Sequence, residues 1–291
     1  MENYNILVTG AAGLIGSKVY SALKRNNKVV GIDNYSRGVF EDESIIKCDV
    51  IDFCKQNQNP FHYIFHFAAI NGTSHFYDNP TKVLETNIQI DLAMFNFSKG
   101  AKLLYCSSSE LVADLSYVPT PEVKEVVIND ITNPRHSYKM AKMVGENYLN
   151  NSDLDYNIIR FYNIVGENDQ SGHFFADIKK KIENKNFELI GAEETRCFCH
   201  VDDVVNPLIY LMDEYNTITV NLGSDDEITI KDAADLYAQK VFGYKPKWVY
   251  KKSRVGSAKR RVPDLSSAKS YIFNYNVRSF REMMNGWENT T

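Results

Sequence analysis

The octapeptide TGAAGLIG, residues 9–16, follows the apolar run NILV and leads into LIGSKVYSALKRN, whose apolar residues recur at helical spacing. Strand, glycine turn and helix in immediate succession are the first half of a βαβ unit. The glycines stand at 10, 13 and 16. Gly10 permits the sharp turn. Gly13 lets backbone N–H groups come up to a pyrophosphate at the helix N-terminus, and Gly16 lets the helix lie close to the sheet. The next apolar run, KVVGID, ends in Asp33. A carboxylate there accepts hydrogen bonds from adenosine ribose hydroxyls and disfavours a 2′-phosphate, so the pattern selects NAD over NADP. Arg37, four residues on, is the neighbouring charge that pulls the other way.

The same rhythm continues outward. SIIKCDV and HYIFHFAA read as further strands, and NPTKVLETNIQIDLAMFNFSK as a long helix starting at Pro80 with Asn79 as its cap. AKLLYCS is the next strand, HSYKMAKMVGENYLNN a helix and YNIIRFYN a strand. Strands separated by helix-length segments predict an α/β fold with a doubly wound parallel sheet. After Asn163 the rhythm changes. HFFADIKKKIENKN, DDVVNPLIYLMDEY and TIKDAADLYAQKVF read as helices, the last with a Thr/Asp cap signal, and FELIG and ITVNLGS as strands.

With 291 residues, 44% hydrophobic and 24% charged, the chain can bury a large core, as one big α/β unit or two unequal domains. A net charge of −4 and a longest basic stretch of only SAKRR, 257–261, argue against a nucleic-acid partner. That stretch is either a solvated turn or an anion site. The five cysteines form no even framework. Cys197 and Cys199, one residue apart in RCFCHV, whose alternation reads as a strand, fit neither a redox CxxC nor a zinc knuckle, so buried thiols and no metal are expected. No signal-peptide pattern and no run of about 20 apolar residues is present, so a cytoplasmic protein with no membrane partner is expected.

SYKMAK places Tyr138 and Lys142 four residues apart on one helix face. Tyrosine is a poor base at its ordinary pKa of about 10, and a nearby ammonium lowers that value. Such a pair can take a proton from a sugar hydroxyl while hydride leaves the same carbon. The segment CSSSELVAD, 106–114, ends a strand in three serines and Glu110. Either a reagent or a solvated loop acid fits that position.

Taken together, TGAAGLIG, GIDNYSRG, CDV, HFAA, TN at 86–87, SSSEL, NPRHSYKMAK, RFYNIVG, RCFCHVDDV, VNLGS and RRVPDLSSAK resemble, in order, the extended short-chain dehydrogenase/reductase family of nucleotide-sugar epimerases and dehydratases. The resemblance implies a Rossmann domain over 1–162, rejoined by 198–222, and a smaller C-terminal substrate-binding domain over 163–197 and 223–291. It implies a homodimer through helices 80–98 and 137–150, and a place in polysaccharide biosynthesis. Gly10, Gly13, Leu14, Ile15, Gly16, Asp33 and Asn34 would line the NAD site, with Asp49, Val50, Phe67, Ala68 and Ala69. Tyr138 would be the catalytic base and acid, and Lys142 would tune it and bind the nicotinamide ribose. Asn163 would touch the substrate, and Arg196 and Arg261 would grip a nucleotide pyrophosphate, for which the guanidinium fork is suited. Arg260 is the adjacent alternative to Arg261.

On the family pattern Ser108 is the hydroxyl that bonds the sugar oxygen, Ser109 a spacer and Glu110 a variable site. A glutamate there is typical of 4,6-dehydratases and decarboxylases; in dehydratases it removes the proton beside the new ketone. The Tyr-Gly that usually follows is here Val112-Ala113. In the loop AAINGTSHFYDNP, 68–80, His75, Phe76 and Tyr77 would border the sugar. The resulting expectation is an NAD-dependent nucleotide-diphosphate-sugar 4-epimerase. A 4,6-dehydratase using Glu110, a C4 dehydrogenase or reductase, and an inactive NAD-binding regulator are the alternatives.

Overall fold

A computed structural model describes residues 1–38, 40–167, 169 and 172–287. Its strands are β1 (Asn5–Thr9), β2 (Lys28–Asp33), β3 (Ile45–Lys47), β4 (Tyr63–His66), β5 (Lys102–Ser108), β6 (Asp155–Phe161), β7 (Ile164–Val165), β8 (Glu188–Ile190), β9 (Thr195–Cys197), β10 (Cys199–His200), β11 (Ile218–Leu222), β12 (Glu227–Thr229) and β13 (Val249–Lys251). Its α-helices are α1 (Leu14–Leu23), α2 (Val50–Gln56), α3 (Thr73–Asp78), α4 (Pro80–Phe97), α5 (His136–Asn150), α6 (Phe174–Glu183), α7 (Asp202–Glu214), α8 (Ile230–Phe242), α9 (Ser266–Tyr271) and α10 (Phe280–Asn285). Seven strands form one parallel sheet in the order β11-β6-β5-β4-β1-β2-β3.

The near-continuous apolar runs of these strands have a physical reason, since both faces of the sheet are covered. Ile6 and Val8 point into a core closed by Val19 and Leu23 of α1 and Leu208 and Met212 of α7. Leu7, between them, points into the opposite core, closed by Phe53 of α2, Met94 and Phe95 of α4 and Leu149 of α5. Each fully buried Leu, Ile or Phe contributes about 1.5–3 kcal/mol, so neither layer of helices is optional. A further core gathers Phe175 and Ile178 of α6, Ala234 and Tyr237 of α8 and Met283 of α10 around Trp287. Ala268 of α9 packs with the sheet instead, alongside Leu222.

The strand order turns back at β1, which pairs with β2 on one side and β4 on the other. In such sheets the crevice beyond the strand C-termini, at the point of reversal, is where ligands are held. Here that point is Thr9 beside His66, with Gly10 and Ala68 just beyond.

Two local expectations change. Asn79 does occupy the N-cap of α4, with Pro80 at the first helical position, but its side chain makes no capping bond. RCFCHV is not one strand. Phe198 turns into the core around Trp287, so β9 pairs antiparallel with β12 while β10 pairs parallel with β7. Thr229 caps α8 as its sequence predicts, accepting from Asp232 N–H at 3.0 Å.

Candidate active site

The glycine turn is built as its spacing implies. Gly10 has φ +67°, and a Cβ on it would stand 2.9 Å from the Ala68 nitrogen. A Cβ on Gly16 would stand 2.0 Å from the Gly10 carbonyl oxygen. That atom is backbone and cannot step aside, so Gly16→Ala must push α1 off the loop. The expected destabilisation is about 1–3 kcal/mol, read as a lowered melting temperature against wild type. Asp33 braces the turn, accepting from Ala12 N–H at 3.0 Å through one oxygen and from Tyr35 N–H at 2.7 Å through the other. Asp49 caps α2 through Ile51 N–H at 2.9 Å and accepts from the Asn34 amide at 3.3 Å. Arg37 donates to the Asn71 carbonyl, away from the strand-end acid.

A cavity of about 660 Å³ runs from this turn across the ends of β4 and β5. Gly10, Gly13, Leu14, Ile15 and Gly16 line one end, with Asp33, Asn34, Asp49 and Val50. Phe67, Ala68 and Ala69 form its floor side, and Ser108, Glu110 and Tyr138 its middle. Asn163, Arg196 and Arg261 reach it from the far end. Lys142 does not line it; the lysine lies beneath, with Nζ 5.9 Å from the Tyr138 ring centre. His75 is outside the lining. Phe76 instead stacks on Tyr138, centroids 4.9 Å apart at 17°, and fixes the ring's plane.

The three serines separate cleanly. Ser107 donates to Glu146 at 2.6 Å, inside a buried pair with Arg160. Ser109 is buried in the 3-10 turn Ser109–Val112. Ser108 lines the cavity together with Tyr138, and its hydroxyl acts to draw the tyrosine's pKa down. That effect is outweighed. Burial first, then the surroundings of Cys106, Asp91 and Glu110, hold the phenol well above its ordinary value. The expectation that Lys142 lowers Tyr138 is therefore not met by the chain's own residues. The lysine's nearest carboxylate is Asp91, at 3.6 Å.

Glu110 is neither solvated nor free. Arg135 donates to it twice, Nε to Oε2 at 3.1 Å and Nη2 to Oε1 at 2.6 Å, and Arg261 Nη1 donates to Oε1 at 2.7 Å. Burial alone pushes its pKa up, but the two guanidinium groups overcome that and hold the carboxyl far below the usual range. Arg261 is left with Nε and Nη2 buried and unpartnered among the described residues. Both Nη atoms of Arg196 are engaged, by the Thr195 and Ala258 carbonyls, Ser257 and Glu194; burial, with Arg261 nearby, lowers its pKa to about 10. Arg260 points outward to Glu227 at 2.7 Å, so of the adjacent pair Arg261 is the one at the cavity. Asn163, at φ +42°, donates its amide to the Cys197 carbonyl at 2.9 Å.

Two site residues carried no sequence assignment. Arg135 stands three residues before Tyr138, at the same helix end, and that spacing was its only signal. Asp91 follows Asn87 by four, a polar pair on the buried stripe of α4, where acids are rare unless paired. All five cysteines are free thiols, with Cys197 and Cys199 fully buried. No helix among the described residues is long and apolar enough to cross a membrane.

Comparison with known proteins follows the same lines. The chain is 29% identical over 290 residues to UDP-glucuronic acid decarboxylase 1 of Xenopus tropicalis, covering 92% of this chain and 67% of that one. It is 27% identical to a putative UDP-glucose 4-epimerase of Methanocaldococcus jannaschii, covering 91% of each. The fold superimposes on UDP-glucose 4-epimerase of Thermotoga maritima, solved with UDP-glucose, at TM-score 0.80, 25% identity and 91% coverage of both chains. Residues 6–223 match the model of the NAD dependent epimerase/dehydratase family. With its glycine turn, parallel sheet and Tyr138–Lys142 helix, the chain belongs to that family.

Proposed function

We propose that this chain binds NAD along the glycine turn and oxidises C4 of a nucleotide-diphosphate sugar, then returns the hydride to give the 4-epimer. The observation that carries this reading is that Ser108 and Tyr138 line the same stretch of the cavity while Glu110 is committed to two arginines. Proton transfer has its reagents, and elimination lacks a free base.

The residues fit the cofactor. The cradle that a Cβ would fill suits a pyrophosphate, and Asp33 keeps lone pairs for ribose hydroxyls beyond its two backbone contacts. Arg37 donates through Nη1 to the Asn71 carbonyl. NAD bound there supplies the hydride acceptor and a cationic ring beside Tyr138. Tyr138 takes the proton from the C4 hydroxyl, and Ser108 holds that oxygen in line. The hydrogen on C4 leaves as hydride in the same step, so the carbon loses two electrons and one proton passes to the tyrosine. The reverse transfer, to the other face, restores the alcohol inverted. Arg261, with two buried N–H groups unspent, is the group most ready for a diphosphate oxygen. The core around Trp287, which carries β9 and its arginine to the cavity, forms the substrate half.

One observation favours a second outcome. Glu110 cancels only one of the charges of Arg135 and Arg261, so the cluster keeps a net positive charge. A uronic-acid carboxylate would be welcome there. Once C4 is a ketone, that carboxylate belongs to a β-keto acid and leaves as carbon dioxide with no base at C5. Mass spectrometry after incubation with a nucleotide-sugar panel separates the outcomes. Unchanged mass with a new sugar means epimerisation and loss of carbon dioxide means decarboxylation. Loss of water would refute the assignment of Glu110, and lasting reduced-nicotinamide absorbance would refute hydride return.

A further inference from the structure

Beneath Tyr138 lies a line of buried polar groups that ties the end of β1 to the lysine of α5. The Ala68 N–H donates to Thr9 Oγ1 at 3.2 Å, and that hydroxyl lies 2.7 Å from His66 Nδ1. Asp91 Oδ1 lies 3.1 Å from His66 Nε2, and a carboxylate can only accept, so the neutral ring carries its proton on Nε2 and Nδ1 accepts from Thr9. Tyr105 donates to Asp91 Oδ2 at 2.5 Å, and Lys142 Nζ stands 3.6 Å from that same oxygen and 4.5 Å from the Tyr105 ring centre. Thr9, His66, Asp91, Tyr105 and Lys142 are each no more than 2% exposed. Four elements converge on one carboxylate that touches nothing in the cavity.

An ammonium in such surroundings needs a counter-charge. Asp91 supplies it, and its own orientation is fixed by two further donors, His66 on Oδ1 and Tyr105 on the Oδ2 that faces the lysine. The same carboxylate opposes the ionisation of Tyr138, so the lysine's charge is shared between Asp91 and the tyrosine. We propose that Asp91, anchored by His66 and Tyr105, is a positioning residue: it holds Lys142 in place and sets how much of the lysine's charge reaches Tyr138. The inference rests on the reading of Tyr138 as the proton-transfer group.

The charged and titratable neighbours of this pair are few. Around Asp91 they are His66 from β4, Tyr105 and Cys106 from β5 and Tyr138 and Lys142 from α5. Around Tyr138 they are Tyr105, Cys106 and Ser108 from β5, Glu110 from the turn after it, Asp91 from α4, Lys142 on its own helix and Arg37 from the loop after β2. Glu146 adds to the field at Tyr105. His66 is kept neutral by burial and contributes a donor, not a charge.

The test is the ionisation of Tyr138 in the NAD complex, read as tyrosinate absorbance after subtracting the Tyr138→Phe titration, alongside the rising limb of kcat against pH. Asp91→Asn removes the competing charge, so both curves should move to lower pH by about one unit. The kcat at the optimum should fall while KM stays near wild type. Tyr105→Phe frees the oxygen that faces Lys142 and strengthens the Asp91 pairing, so both curves should move the other way. A purely packing role would lower stability in either variant and leave both curves in place. Coincidence of the Tyr105→Phe curves with wild type overturns the proposal, even where Asp91→Asn does not fold. Should wild type turn over no nucleotide sugar, the functional reading fails, and the tyrosinate titration still decides the coupling.

Discussion

Tyr138→Phe should lower turnover by about 10³- to 10⁴-fold with little change in NAD affinity or melting temperature. The substitution removes one oxygen and keeps the ring. The stack on Phe76, with centroids 4.9 Å apart, survives because it depends on the ring faces. A hydrogen bond lost with the hydroxyl is worth about 1 kcal/mol in stability. Transition-state stabilisation suffers far more, because the proton from the C4 hydroxyl then has no acceptor. Ser108 cannot replace it, being a weak base whose oxygen already accepts from Glu110 N–H at 3.2 Å. The measurement is kcat on whichever nucleotide sugar proves to be the substrate, with NAD binding followed by fluorescence. Unchanged turnover would remove Tyr138 from the chemistry and with it the assignment of proton transfer to this helix.

The parts of the site that the sequence revealed are those whose geometry is local. The glycine turn is legible because turn, close approach and helix start fall within eight residues, and each constrains the residue type at its position. Tyr138 and Lys142 are legible because a helix brings residues four apart to one face. The arginine cluster is different. Glu110 meets Arg135 across 25 residues of chain and Arg261 across 151, and no periodicity links such positions. Read alone, Glu110 is a strand-end acid of either kind; only the fold shows that its lone pairs are taken. The lysine's behaviour was hidden for the same reason. Spacing puts Lys142 beside Tyr138, but the competing carboxylate of Asp91 arrives from another helix, so the direction of the tyrosine's pKa follows burial instead. The division of RCFCHV into two pairings was equally beyond reach, because alternation looks the same whether a strand continues or changes partners.

Glu110→Gln should lower the melting temperature by about 10 °C, and this result separates a structural counterion from a catalytic base. The carboxylate is the acidic partner of two buried guanidinium groups in the site. Removing one member of such a cluster leaves the others charged and unpaired, which costs about 3–5 kcal/mol. Glutamine matches the shape, so the loss reports charge and not a hole. The effect has a pH signature. The carboxyl's pKa in the folded chain is depressed below its ordinary 4.5, so its contribution to stability is complete above that value and drains as the pH falls below it. Wild type should thus lose stability through the acid range more steeply than the glutamine variant, and the two denaturation midpoints should converge there. Glu110→Gln combined with Arg135→Met removes a charge of each sign, so part of the lost stability should return, an interaction visible as non-additivity. A free catalytic base would behave otherwise: Glu110→Gln would melt as wild type does, show no difference in acid slope and gain nothing from the second substitution. Thermal melts of wild type, Glu110→Gln, Arg135→Met and the double variant across pH 3–8 therefore decide, without knowledge of the substrate, whether the strand-end acid is available to remove a proton from C5.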